Sequence, residues 1–185
     1  MKSKFHFLAL CALTILSVFI LPAGAAPGDL DLSFGGTGKV TTAIGSGDDI
    51  GNSVAVQSDG KIVVAGYSST QNGSKDDFAV VRYNPNGNLD TSFNGTGKVT
   101  TAIGSGHDQG YSVAVQSDGK LVVAGYSRNG SNDDFALVRY NDNGSLDTGF
   151  NGTGKVDHRH RQRSRSGPQR YGAERREARG RGVFR

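Results

Sequence analysis

The chain has no tryptophan, one methionine, four prolines and a single cysteine in 185 residues. Cys11 lies within an apolar leader, so the remainder has no disulfide framework and no thiol chemistry available to it. Between residues 26 and 156 there is no glutamate, and His107 is the sole histidine. These gaps exclude much. A Ser-His-Asp hydrolase needs a histidine base beside its nucleophile, yet Asp48 occupies the place of His107 in the preceding repeat. Neither a Gly-x-Ser-x-Gly elbow nor a His-Glu-x-x-His pair occurs. Paired-carboxylate catalysis would rest on aspartates alone. The balance is against an enzyme, with one alternative kept open: the remnant of a propeller hydrolase or lyase whose catalytic residues lie in blades not present.

Charge is present but unevenly placed. The net +4 suggests a polyanion-binding protein, and its distribution removes that reading. Residues 1–25 carry two lysines and no acid, and residues 26–156 carry nine Lys/Arg against fourteen Asp. Residues 157–185 carry ten Arg against three acids, so +2, −5 and +7 sum to +4. The basic character belongs to the last segment, and the body is mildly acidic. No specific nucleic-acid partner is expected.

The first 25 residues read as a signal peptide. Lys2 and Lys4 precede an apolar run from Phe5 to Leu21, and Pro-Ala-Gly-Ala-Ala offers small residues for cleavage after Ala25 or Ala26. The run comes close to the length of a membrane span, but Pro22 and the Ala-x-Ala pattern favour cleavage. The mature protein is then expected outside the membrane, secreted or in the periplasm or at the cell surface.

What the body has in abundance is repetition. A unit of 59 residues starts at Leu30 and one of 57 at Leu89; a third begins at Leu146 and keeps the pattern to Val156. This divides the chain into repeats 30–88 and 89–145 and a fragment 146–156. Each full unit holds four short stretches rich in Val, Ile, Thr, Phe and Tyr without helical spacing. In the first they are Lys39–Ile44, Ser53–Gln57, Lys61–Tyr67 and Phe78–Tyr83. Asp59-Gly60 and Asp118-Gly119 are structural turn residues, suited to the positive φ angles of a type I′ hairpin. The stretch Lys-Ile-Val-Val-Ala-Gly-Tyr is apolar or small at consecutive positions, as in a strand covered on both faces. The fold class is therefore all-β. Four-stranded antiparallel blades of a β-propeller are expected, incomplete at two blades plus a fragment.

Four motifs carry a resemblance. They are "LDxSFxGTGKV", "SVAVQSDGK", "VVAGYS" and "DDFAxVRYNxxG", spread over Leu30 to Val156. They resemble the delta-60 repeat of bacterial exported proteins, regarded as a β-propeller repeat of unknown function. The resemblance implies a fold and an extracellular setting, and supplies no catalytic residues. Propellers close with roughly four to eight blades. Two blades leave sheet edges and an apolar face in need of a partner. The expected partners are other propeller repeats or a cell-surface ligand.

The arginine-rich end, residues 157–185, reads as the same repeat in a shifted frame. With permissible codons regrouped one base later, Asp157 to Phe184 becomes TTAIGSGHDQGHSVTVQSDGKLVVAGYS, which agrees with Thr100–Ser127 at 26 of 28 positions. The exceptions fall opposite Tyr111 and Ala114. One extra base between the codons for Lys155 and Asp157 suffices. The tail's "DHRH" and "RQRSRS" then lose their standing as metal or nucleic-acid motifs. A disordered tail is expected, because it has no apolar periodicity to bury.

The remaining candidates are aspartates. Asp48-Asp49, Asp76-Asp77 and Asp133-Asp134 sit in Gly/Ser/Asn-rich loops, where carboxylates can gather around calcium. The other reading is solvated loop charge and Asx-type turns. No other cofactor and no catalytic residue is indicated. Arg82 and Arg139 lie in strand-like stretches, where each needs an aspartate partner or a route to the rim. Translating the gene one base later beyond the Lys155 codon is expected to give the rest of the third repeat, through a further DDFA and RY motif. An early stop in that frame would refute the frame-shift reading.

Overall fold

The computed structural model describes residues 26–70 and 72–157. The leader of residues 1–25 and the basic tail from residue 158 lie outside the described residues, as do the expectations placed on them. The chain divides into two compact units, Met1–Val40 and Thr41–Arg185. The described part of the first is a loop. Ser33 Oγ donates to Asp31 Oδ1 at 2.6 Å, and Gly38 N donates to Phe34 O at 2.7 Å.

The second unit holds two four-stranded antiparallel sheets, with no helix among the described residues. The first sheet comprises β1 (Asp49–Val56), β2 (Ile62–Ser69), β3 (Asp76–Tyr83) and β4 (Lys98–Thr101), in that order. The second comprises β5 (Asp108–Val115), β6 (Leu121–Asn129), β7 (Asn132–Tyr140) and β8 (Lys155–Asp157). β5 packs against β1, β2 and β3, so the two sheets lie face to face. The all-β, blade-like reading holds.

Repeat and sheet are out of phase. The stretch Lys39–Ile44, expected as a strand of the first repeat, forms none. Its counterpart Lys98–Thr101, in the second repeat, pairs with β3 and closes the first sheet, and Lys155–Asp157 of the third closes the second. The reason is geometric. The second and third Gly-Thr-Gly-Lys-Val segments each fold back on the strand that precedes them, and among the described residues no strand precedes Lys39–Thr42. The sheets therefore run from 49 to 101 and from 108 to 157, not over 30–88 and 89–145.

The hairpin turns also differ from expectation. Gly60 and Gly119 have φ of 83° and 81°, but neither Asp59 nor Asp118 is among the residues with positive φ. Gly60 N donates to Gln57 O at 2.9 Å, and Gln57 N donates to Lys61 O at 2.8 Å. This is a type I turn closed by a left-handed glycine, whose Gly sits after the two central residues. Asp59 holds the turn through its side chain, Oδ1 accepting from Lys61 N at 3.2 Å.

The core lies between the sheets. Val63, Ala65, Phe78 and Val80 of the first sheet meet Leu121, Val123, Ala136, Val138 and Tyr140 of the second, all buried. Period-two alternation puts the first set on one face and the second on the opposing face. Phe78 fits because the facing residue is Gly125. A Cβ there would come within 2.8 Å of Phe78 Cζ and within 1.9 Å of Gln109 O. Gly125→Ala is expected to abolish the cooperative fold, seen as loss of the thermal transition by circular dichroism. A folded variant with an unchanged melting temperature would contradict this packing.

Candidate functional site

The seam between the sheets has two polar ends. At the end carrying the Ser-Asp-Gly turns, Arg82 is 1% exposed. Its place on β3 alternates with Val81 and Tyr83, which directs it into the seam. Nε donates to Asp90 Oδ2 at 2.8 Å, and Nη1 donates to both Asp142 O and Asp142 Oδ1 at 2.7 Å. Its guanidinium lies 4.8 Å from the centre of the Phe93 ring. Asp142 belongs to the loop after β7, so this arginine ties the first sheet to the second. Arg139 repeats the arrangement with Asp147 at 2.7 Å and Phe150 at 4.6 Å, but is 22% exposed, and among the described residues no further sheet supplies it with a carboxylate. The need for an aspartate partner, argued from sequence, is met at both positions. Asp90 tends upward through burial, but bonds from Ser92 and the charges of Arg82 and Lys61 outweigh this and hold it below the usual carboxylate range.

Above that network lies a cleft of about 740 Å³, between the turns of the two hairpins. Gln57, Ser58 and Asp59 form one wall; Gln116, Ser117 and Asp118 form the other, with Asp142 at the base. Lys61 and Lys120 pair with Asp59 and Asp118 at 3.2 and 3.6 Å. The lining offers amides, hydroxyls and carboxylates and no histidine. Such a surface can hydrogen-bond a polar ligand. Sequence reading placed Asp59, Gly60, Asp118 and Gly119 in turns, and the structure does too; that the turns face each other was not visible from it.

The other end of the seam is organised by Asp76. Its Oδ1 accepts from Ser69 Oγ at 2.6 Å, and its Oδ2 lies 2.9 Å from His107 Nδ1 and 2.6 Å from Gln109 Nε2. His107 and Gln109 come from the second blade and its entry, so this is again a contact across the sheets. Burial raises the Asp76 pKa, but the bonds from Ser69, Gln109 and His107 prevail and hold it below its ordinary value. The order is Ser–Asp–His, with the carboxylate in the middle. The histidine does not reach the hydroxyl, so the group is a structural clasp rather than a nucleophile with its base.

The calcium candidates are dispersed. Asp49 accepts from Ile44 N at 2.8 Å and Gly45 N at 3.2 Å, and so caps the loop entering β1. Asp48 is exposed beside it. Asp133 pairs with Arg128 at 2.7 Å, and Asp77 has a raised pKa, first through burial and then through nearby Asp108. Asp134 adjoins Asp133 at the start of β7. Among the described residues no three His, Cys, Asp or Glu side chains gather as a metal site would require. Asp90, Asp142, Gln57 and Gln109 are the partners that sequence reasoning missed. Their pairing follows from sheet stacking, which a single repeat does not encode; only the recurrence of Gln-Ser-Asp-Gly-Lys in both repeats pointed to the turn end.

Comparison with known families agrees with this architecture. The model described as "Domain of unknown function (DUF5122) beta-propeller" matches residues 57–93 and 116–150. Both repeats carry the signature of a β-propeller family. Each matched stretch runs from a Ser-Asp-Gly turn to the Leu-Asp-x-x-Phe loop, so it spans two strands and the Arg–Asp pair of its blade. The family model bears a different name from the delta-60 repeat that the motifs resemble. No curated protein matches the chain.

Asp76→Asn is expected to lower stability by about 1.5–3 kcal/mol at neutral pH, the usual worth of hydrogen bonds to a charged group. The Asp76 pKa is lowered in the folded state from 3.8. Its contribution is therefore complete above pH 3.8 and is lost as pH falls through the folded value. Melting curves of the two proteins should differ by a constant amount above pH 4 and converge below it. A difference that persists in acid would assign the effect to packing instead.

Proposed function

We propose that this is an exported carrier of β-propeller blades with a binding or structural role outside the cell or at its surface. The single observation behind the reading is how the polar side chains are used. Arg82, Asp76, His107, Gln109 and Asp142 join one sheet to the next, while the turn-lined cleft stays open as a polar surface that can meet a ligand. Its amides, hydroxyls and carboxylates suit a polar partner rich in hydrogen-bond donors. The charge partition and the shifted-frame reading add that the product is a truncated stretch of a longer repeat protein.

Export is open to direct test. Expressed in a bacterium with a general secretion pathway, the chain is expected in the periplasm or the medium, with an N-terminus at Ala26 or Pro27. Edman sequencing or intact mass of the recovered product checks both. Retention in the cytoplasm with residues 1–25 attached would overturn the export reading and leave the fold untouched.

A further inference from the structure

The two outer faces of the paired sheets are copies of the two faces already packed together. Phe78, on the face of the first sheet that meets the second, is 0% exposed, whereas its counterpart Phe135 on the outer face of the second sheet is 85% exposed. On the opposite side, Val113 of β5 is 9% exposed in the seam and its counterpart Val54 of β1 is 64% exposed. The seam works because Phe78 rests over Gly125, beside Val123 and Ala136. The outer face of the first sheet carries the equivalent set in Gly66, Val64 and Ala79, around a hollow of about 110 Å³. Among the described residues nothing covers knob or hole, and they stand at opposite ends of the stack.

We infer that a second copy of this chain docks head to tail, seating Phe135 over Gly66 as Phe78 seats over Gly125. This goes beyond the proposed role outside the cell and does not depend on export. The occupant is another copy because the seam inside the chain shows this face pair fitting, and the outer faces continue it residue by residue.

The polar ends of the new seam can be worked out from the old one. Asp133 takes the place of Asp76, and Asp48 and Ile50 of the incoming copy take the places of His107 and Gln109. Two aspartates would then approach, but Arg128, bonded to Asp133 at 2.7 Å, supplies the cation that His107 supplies within the chain. At the turn end, Arg139 keeps Asp147, while Pro85 stands where Asp142 offers both a carbonyl and a carboxylate to Arg82. One charged tie is lost. The contact between copies is therefore weaker than the internal seam and reversible.

The contact is heterologous, so it leads to a ring or an open chain rather than a symmetric pair. Two to four copies would give the roughly four to eight blades at which propellers close. At the outer edge, the incoming Lys39–Thr42 meets β8 of its host. Both carry the Lys-Val of the closing strand, but Lys39–Thr42 continues with the Thr-Thr of β4, which in the first sheet extends the pairing to Phe78 and Thr101. The two strands compete for β7, and the incoming one has the longer match.

Sedimentation velocity of the full chain across a concentration series tests this, with two variants on exposed residues, Phe135→Ser and Val54→Asp. The unsubstituted chain is expected to associate as concentration rises. Each variant alone should sediment as a monomer with an unchanged circular dichroism spectrum. Mixed one to one, the variants should form a dimer and nothing larger, because each retains the face that the other has lost. A chain that stays monomeric at every concentration overturns the inference. So does association unaffected by Phe135→Ser, or a mixture that remains monomeric; a variant that still dimerises alone would place the contact on a symmetric face.

Discussion

A sheet that is apolar on both faces cannot stand in water, and this constraint governs the molecule. β2 and β6 are the clearest case: Val63 and Ala65 on one side of β2, and Gly66 on the other, are all buried. Amphipathic strands would have allowed a single sheet to turn one side to solvent. Here each sheet must be stacked, and the stacking distance is set where Phe78 meets Gly125. A side chain at that glycine would meet both the ring and the carbonyl of Gln109. The glycine thus serves two purposes, admitting the neighbouring ring and letting β5 bulge between Gly110 and Ser112.

Polar groups follow from that stacking. Once the apolar faces close, Arg82 is enclosed with no water to solvate it, and an enclosed guanidinium without partners would be costly. It is enclosed with two carboxylates, a carbonyl and an aromatic face. Arg139 shows the same local pairing without the second sheet, and it stays partly in solvent. The comparison separates what one repeat provides from what its neighbour adds. The Arg–Asp pair of β3 and the following loop is local, whereas Asp142 is a gift of the next blade. The same division holds at Asp76, where Ser69 is local and His107 and Gln109 come from across the seam.

That division also explains what could be read from the amino acids. The strand content, the Gly60 and Gly119 turns and the need of Arg82 for an aspartate are local, and they were legible. The phase of the sheets was not. A repeat may be cut anywhere along its length without altering its period, and nothing in Lys39–Ile44 distinguishes a strand of its own blade from the closing strand of another. The absence of a strand there, beside the presence of β4, settles the matter only in three dimensions. Asp59 misled for a different reason. Asp-Gly fits both a type I′ turn and a type I turn followed by a left-handed glycine, and the extra residues Gln57 and Ser58 in the loop decide for the second. The aspartate pairs looked like ligands because oxygen-rich loops resemble one another in sequence. In space Asp49 faces backbone amides, Asp76 faces side-chain donors and Asp133 faces an arginine, so their charge is used up within the fold.

The phase of the sheets bears on the shifted-frame reading as well. On that reading the divergence would fall early in the third unit in repeat terms. In structural terms it would fall just after Lys155 and Val156, which pair with Val138 and Leu137. The second sheet therefore has its fourth strand before the sequences diverge. Had the change come a dozen residues earlier, Arg139 would have lost Asp147 and Phe150, and β7 would have become an open edge. The same displacement between repeat and sheet that leaves Lys39–Thr42 without a strand to close thus leaves the second blade closed. A break in a repeat protein spares or opens a blade according to where it falls relative to the sheets, and a break after Val156 would spare the second one.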